Sequence, residues 1–375
     1  MAISIKPART KSEIRKFIKS QWKFYKNHDN WVPPVIADRM KLFDTEKNPF
    51  YNHAEIELFI AYRDDEIVGR IAAIENRRHN EIHNDKVGFF GFFECIDDQD
   101  VANELFESAA YWLKERDLDV MRGPANPSFN DEVGLLVKGF DYPQVVLLPY
   151  NPPYYENLVL GAGLYKAKDL YGYHLENHKF VSDKLKRMQK IIRERYNVTI
   201  REVNFKDTEQ YEKDVETLKS IYNKAWEPNW GFVRMTDEEF DYLAADLKQF
   251  AEQSLTYIAE VNGKPAGFAL GLPDINQVLK YNRNGSMLGA VWHLLTKRKK
   301  IDWLRIIVLG VMPEYQGKGI DSVMYWEMGK RGEKIGIYDG DASWVLEDNV
   351  MMNRGLTTIM YAEHYKTFRI YEKEI

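Results

Sequence analysis

Two stretches of the chain carry the same alternation of apolar and polar positions. "LFIAYRDDEIVGRIAAI" (Leu58–Ile74) and "TYIAEVNGKPAGFALGL" (Thr256–Leu272) each read as strand, tight polar turn, strand. Ile60 and Ala61 match Ile258 and Ala259, and a glycine, Gly69 or Gly267, follows after the same gap. The flanks repeat as well. "ISIKPARTKSEIRKFI" predicts a short strand, then a helix capped by Thr10 with Glu13 completing a capping box. "VTIREVNFKDTEQYEKDV" predicts the same order, with Asp207 as the cap and Gln210 three residues later. Agreement in order and spacing, more than in one hairpin, points to an internal repeat.

After its hairpin the first half predicts a strand (Val87–Glu94), a helix (about Gln99–Arg116) and a buried strand near Val120. An Asn/Pro-rich loop, Gly123–Asp131, follows. A further strand, a Pro turn, a short helix and a last strand complete this half. "ENHKFVSDKLKRMQKIIRERYN" (Glu176–Asn197) predicts a basic helix carrying Lys184, Lys186, Arg187, Lys190, Arg193 and Arg195. We read it as a solvated helix joining two domains, 1–177 and 198–375, across a linker, 178–197. In the second half "DINQVLKYNRNGSMLGAVWHLLTKRKK" is inserted before the strand "WLRIIVLGV". It reads as one or two helices ending in the basic cluster Lys297–Lys300.

Composition narrows the class. The 375 residues include 45% apolar side chains, enough for real cores. The formal net charge of −5 argues against a general nucleic-acid coat and leaves local basic patches open. One cysteine, Cys95, excludes an intramolecular disulfide and fits a reducing compartment. The first residues lack a signal-like apolar core, and no apolar run approaches the roughly 20 residues that span a bilayer. The expectation is a cytoplasmic protein with no membrane partner.

The most informative stretch is "LGVMPEYQGKGIDSVMYWEM" (Leu309–Met328), an apolar strand, a glycine-containing loop and an amphipathic helix. Such loops hold phosphates on backbone N–H groups and on the positive end of the helix dipole. A Walker loop is excluded, because no earlier glycine stands at the required spacing and no hydroxyl follows Lys318. A dinucleotide loop would need glycine where Ser322 stands. What remains resembles the GNAT superfamily of acyl-CoA-dependent N-acyltransferases. Their pyrophosphate loop reads Gln/Arg-x-x-Gly-x-Gly/Ala after a strand of the type Leu-x-Val-x-Pro. This chain supplies Leu309, Val311, Pro313, Gln316 and Gly319, with Asp321 in the final Gly/Ala place.

The resemblance implies an α/β (α+β) fold of two tandem GNAT-like units, each a twisted mixed sheet flanked by helices. It implies acetyl-CoA or another acyl-CoA as co-substrate and a small-molecule or peptide amine as acceptor. Gln316, Gly317, Lys318, Gly319, Ile320 and Asp321 would hold the pyrophosphate, and the backbone of Leu309 and Val311 the pantetheine arm. An anionic Asp321 pointing inward would weaken that grip. Downstream, "ASWVLEDNVMMNRGL" predicts a strand ending near Glu347 and a helix started by Asn349, which the family places beside the CoA thiol. The family also places a tyrosine about two turns into that helix as acid for the thiolate; here the register gives Leu356. Tyr361, with Tyr365 further on, is the nearby phenol. Glu347 is the candidate base.

The first half looks like a second, degenerate unit. Its strand–helix junction carries Glu94, Asp97, Asp98 and Asp100, which would oppose a pyrophosphate. One CoA site, in the second half, is expected. His79 and His83, and likewise His174 and His178, have helical spacing but no third ligand, so no metal is expected. Cys95 reads as a buried, inert thiol. "RGPANPSFNDEVGLL" and "LLPYNPPYYENL" read equally as an acceptor pocket or as plain turns. Two rivals to catalysis on a small amine are a non-catalytic acyl-CoA-binding protein and a transferase resembling the Fem family, which uses aminoacyl-tRNA; nucleic acid is not expected.

Overall fold

The computed structural model describes residues 2–375. Contacts divide the described residues into two units, the first comprising residues 2–170, 279–295 and 366–375, the second residues 171–278 and 296–365.

The first unit opens with β1 (Ile3–Pro7) and α1 (Lys11–Phe24), whose Thr10/Glu13 capping box forms as predicted. A short helix α2 (Ile36–Leu42) leads to the hairpin β2 (Ala54–Arg63) and β3 (Glu66–Asn76), then α3 (Arg77–His83), β4 (Val87–Cys95) and α4 (Gln99–Lys114). Beyond lie β5 (Val120–Gly123), a small ribbon of β6 (Ala125–Asn126) and β7 (Glu132–Val133), β8 (Leu135–Lys138) and α5 (Tyr155–Gly161).

The second unit takes the end of β9 (Tyr165–Glu176), α6 (Asn177–Phe180), α7 (Asp183–Tyr196) and β10 (Val198–Glu202). Next come α8 (Thr208–Trp226), capped by Asp207 as expected, α9 (Asp237–Lys248) and the hairpin β11 (Thr256–Val261) and β12 (Lys264–Pro273). The insertion forms α10 (Asn276–Leu279) and α11 (Met287–Lys297). β13 (Trp303–Val311), α12 (Ile320–Lys334), β14 (Asp339–Leu346), α13 (Val350–Thr358) and β15 (Glu363–Glu374) follow.

The repeat is real at the level of register. Ala61 pairs Gly69 across β2/β3, Ala259 pairs Gly267 across β11/β12, and the register shifts at the next residue in both. Each unit has four antiparallel strands followed by one parallel neighbour, in the order β1-β2-β3-β4-β5 and β10-β11-β12-β13-β14. The sixth strand is exchanged in sequence. The far end of β15 pairs β5 in the first sheet, whereas β9 lies beside β14 in the second.

One long helix covers each sheet at the equivalent place. In the first unit α4 buries Val101, Leu105, Phe106 and Leu113 over Ile71, Ala73 and Phe90. In the second α12 buries Ile320, Val323, Met324 and Met328 over Leu304, Ile306 and Ala269. The basic stretch is two helices, broken at Val181 and restarted by the Ser182 cap. One face of α7 is solvated, as its charges require, and the other buries Leu185 and Ile192 in the α12 core.

Candidate functional site

β13 and β14 pair only over Trp303–Ile306 and Asp339–Ala342, after which their ladder ends. The cause is a bulge. Leu270 pairs Val308 and Gly271 pairs Ile306, so Ile307 has no counterpart on β12 and the strand bends there. Leu309 and Val311 stay bonded to β12, opposite Ala269 and Gly267. The other edge of β13 past Ile306 therefore presents alternate N–H and C=O groups to a notch.

β13 runs into a 3-10 turn, Pro313–Tyr315, and an extended Gln316. Gly317 and Gly319 follow with φ of 73° and 80°, values costly for residues bearing a Cβ. Gly319 has a second constraint: a Cβ there would stand 2.7 Å from Cδ1 of Ile192 on α7. The long side chains brace the loop. Gln316 Nε2 donates to the Val311 carbonyl at 3.0 Å, and Lys318 Nζ donates to the Glu314 carbonyl at 2.8 Å while lying over the Tyr315 ring. Gly319, the cap residue, offers no side chain to the first turn of α12. Apart from the N–H groups of Asp321 and Ser322, which the Asp321 carboxylate engages, the helix start can offer backbone donors, and the dipole's positive end, to an anion.

Asp321 sits in that first turn with an exposed side chain. Protein crowding around its carboxylate raises the pKa, and the N–H groups of Ser322 and of Asp321 itself pull the other way. Ile320 is buried in the core, so only its backbone faces the loop. Leu309 is buried and Val311 half-buried.

Glu347 follows β14 directly, half-buried, and its carbonyl accepts from Asn353 Nδ2 at 3.2 Å. Asn349 caps α13 by accepting the Met352 N–H at 3.1 Å. These two and the glycine loop both lie past the C-terminal ends of one parallel strand pair, where ligands bind in α/β sheets. Tyr361 does not join α13. It lies beyond the helix, half exposed, with φ of 54°. Leu356, in the register of the family's tyrosine, is buried. The phenol that reaches α13 comes from α12: the Tyr325 hydroxyl lies 3.5 Å from Sδ of Met352. Burial, and then the Asp321 carboxylate one turn earlier, push its pKa well up.

Sequence reasoning missed a buried polar cluster at the fork. Arg305 and Asp341 are cross-strand partners in the last paired stretch before the strands part, and both are fully buried. Asp341 accepts from Ser343 Oγ, and from the Tyr365 hydroxyl at 2.6 Å. The Arg305 guanidinium reaches Ser343 Oγ at 3.2 Å and lies over Trp344. The signal was present: an arginine inside an apolar strand, and Asp339, Asp341 and Ser343 at strand alternation.

The equivalent notch of the first unit is filled by its own chain. β4 and β5 pair over Val87–Phe89 and Val120–Arg122 and then part. Asn126 Oδ1 enters and accepts the Phe92 N–H at 2.6 Å. The Ala125 carbonyl comes so close to Gly91 that a Cβ there would lie 1.8 Å from its oxygen. Asp98 caps α4, taking the N–H groups of Asp100 and Val101, and holds Arg63 at 2.8 Å. Glu94 is buried with Arg70, Gln21 and Tyr155.

Among the described residues no group of three or more His, Cys, Asp or Glu is placed to hold a metal. The rings of His79 and His83 lie 4.4 Å apart, and burial, with the neighbouring His83 and Arg122 charges, pushes His79 down to about 3. His174 instead pairs Asp339 at 3.0 Å and stacks on Trp303. Cys95 is buried, and burial pushes its thiol well up.

The acetyltransferase (GNAT) family model matches residues 215–349. A Caulobacter vibrioides (strain NA1000 / CB15N) protein named bacterial ceramide synthase is 33% identical over 381 residues, covering 100% of this chain and 98% of that protein. Protein YghO of Escherichia coli (strain K12) is 32% identical over 373 residues, covering 97% of this chain and 94% of YghO. Among solved structures, a tandem GNAT protein from the clavulanic acid biosynthesis pathway aligns with a TM-score of 0.57 at 10% identity, covering 100% of this chain and 98% of that one. A GCN5-related N-acetyltransferase from Sphaerobacter thermophilus gives 0.54 at 10% identity, covering 99% and 95%. At such identities these two speak for the fold.

Proposed function

Because the chain belongs to the GNAT acetyltransferase family, we propose that it acylates the amine of a long-chain amino alcohol, using a long-chain acyl-CoA. The acyl-CoA half of this reading is carried by one observation: a helix that starts from a glycine cap, with Gly317 and Gly319 both left-handed, at the mouth of two parted strands. The acceptor half is supported by the full-length likeness to the protein named bacterial ceramide synthase, a ceramide being the amide of such an amine.

In this reading the N–H groups around Gly317–Asp321 hold the pyrophosphate, and the free edge of β13 at Leu309 and Val311 orients the pantetheine arm and polarises the acyl carbonyl. Bound acyl-CoA supplies a thioester whose carbonyl carbon takes the amine nitrogen and whose C–S bond breaks. Glu347, through water, takes the proton the nitrogen sheds. Tyr325, a buried phenol whose hydroxyl reaches Met352 on α13, joins Tyr361 as a candidate to protonate sulfur. The first unit, its notch plugged by Asn126 and its helix capped by Asp98, contributes no second acyl-CoA site.

The test is a matrix of acyl-CoA chain lengths against long- and short-chain amines, with products identified by mass spectrometry and free CoA measured by thiol titration. An N-acyl product formed with long-chain partners supports the reading. Acetyl transfer to polar amines alone would remove the lipid acceptor. Binding without CoA release on every amine would make the protein a non-catalytic acyl-CoA binder.

A further inference from the structure

α11 inverts the usual order of a surface helix. Its inward contact is small: Ala290 is buried, while Met287, Leu288, Val291, Trp292 and Leu295 are 45%, 85%, 46%, 65% and 80% exposed. At about 100° per residue these five positions form one stripe about 140° wide. The helix is not a loose appendage. Within the first unit the segment before it is tied down by Trp22 Nε1 donating to the Arg283 carbonyl at 2.6 Å and by the Ile36 N–H donating to the Gly285 carbonyl at 2.9 Å. Asn282 Nδ2 donates to the Ser286 carbonyl, and the Gly289 N–H to Ser286 Oγ. A rigidly held helix with its large apolar residues turned to solvent needs a partner surface.

The chain itself indicates what kind. The stripe runs directly into Lys297, Arg298, Lys299 and Lys300. Arg298 is engaged by Glu252, while Lys299 and Lys300 are exposed. This positive cluster is local, in a chain of net charge −5. A narrow apolar stripe containing tryptophan and continuing into lysines matches a helix lying in a membrane interface, apolar side in the acyl boundary and cations against anionic headgroups.

We propose that α11 and the adjoining lysines dock the protein on an anionic lipid bilayer. The docking is peripheral: among the described residues no helix is long and apolar enough to cross a membrane. The absence of a spanning run, on which the sequence-based expectation of no membrane partner rests, does not bear on a short helix that lies in the interface. The inference rests on α11 and goes beyond the transfer reaction; its test needs no turnover.

Full-length protein is floated with vesicles of phosphatidylcholine, with and without phosphatidylglycerol, at low and physiological salt. Binding to the anionic vesicles, weakened by salt, is expected. The triple variant Leu288→Ser/Trp292→Ser/Leu295→Ser should abolish it. Lys299→Gln and Lys300→Gln should each weaken partition about fivefold, the equivalent of about 1 kcal/mol per cation. Unchanged melting temperature and unchanged acyl-CoA binding by calorimetry would show that the variants fold, and Trp292→Phe should retain vesicle binding. Absence of vesicle binding, or binding indifferent to the triple variant, overturns the proposal. So does a wild-type dimer that the triple variant splits while vesicles bind neither form, since the stripe would then belong to a second copy.

Discussion

Replacing Gly319 with alanine separates two demands that the glycine meets at once. A residue with a Cβ held at the φ of 80° seen here costs about 1–2 kcal/mol. The new Cβ would also stand 2.7 Å from Cδ1 and 3.4 Å from Cγ1 of Ile192. The nearer atom ends a flexible side chain, so it is displaced rather than the backbone, at about 0.5–1.5 kcal/mol for an off-rotamer isoleucine. The sum is about 1.5–3.5 kcal/mol for Gly319→Ala. Gly317 provides the comparison, with φ of 73° and nothing within 4 Å of a Cβ, so Gly317→Ala should cost only the about 1–2 kcal/mol of backbone strain. Urea denaturation measures both. Ile192→Val, which removes Cδ1, should return the packing share in the Gly319→Ala background and appear as a coupling of about 0.5–1.5 kcal/mol in a double-mutant cycle. Calorimetry with acyl-CoA reads the functional side. If the loop relieves strain by leaving its left-handed geometry, the N–H cradle opens and Kd rises about tenfold for each 1.4 kcal/mol lost. Lower stability with an unchanged Kd in both alanine variants would refute the loop as the pyrophosphate cradle. Zero coupling with Ile192→Val would refute the packing argument.

Asp321→Asn should bind acyl-CoA more tightly than wild type at neutral pH, with the gap closing in acid as the wild-type carboxyl protonates; calorimetry across pH checks this. The sign for stability agrees: folding raises this carboxyl's pKa, so wild type loses stability relative to the variant as pH rises from the ordinary carboxylate range through the raised value, and thermal melts of the pair should show it. Acyl-CoA should bind one molecule per chain, and Asn126→Ala, which strands the Phe92 N–H, should cost about 1–3 kcal/mol in urea without creating a second site. Asp341→Asn leaves the buried Arg305 without its counter-charge and should cost about 3–5 kcal/mol, whereas Tyr365→Phe removes one bond to that carboxylate and should cost about 1.5–3 kcal/mol; equal effects would mean that the pair is not coupled as described.

Local regularities were legible in the sequence. The hairpin repeat could be read because Ala61 and Gly69, and Ala259 and Gly267, are cross-strand partners beside matching register shifts, so the fold constrains both copies alike. The helix starts at Thr10 and Asp207 were legible because a cap is a local bond. The acidic junction of the first unit is visible in the sequence, but the different tasks of its parts are not: Asp98 caps the helix while Glu94 turns inward to Arg70. Tertiary partners were not legible. Alternation marks β15 as a strand and says nothing of β5. Arg305 and Asp341 are far apart in sequence, and their pairing depends on a parallel register that neither strand reveals alone. α11 was predicted as a helix, but periodicity gives an apolar side without saying that solvent lies beyond it.

The exchange of closing strands sets an order of manufacture. β5 is made early, yet its antiparallel neighbour, the stretch of β15 from Tyr371 to Glu374, is made only after every strand of the second unit. Until then the nascent first unit carries an open β5 edge, the kind of surface that invites pairing with other chains. β9, by contrast, exists before β14 and waits as a ready template for it. On the ribosome, the half that is begun first is therefore the half that is finished last.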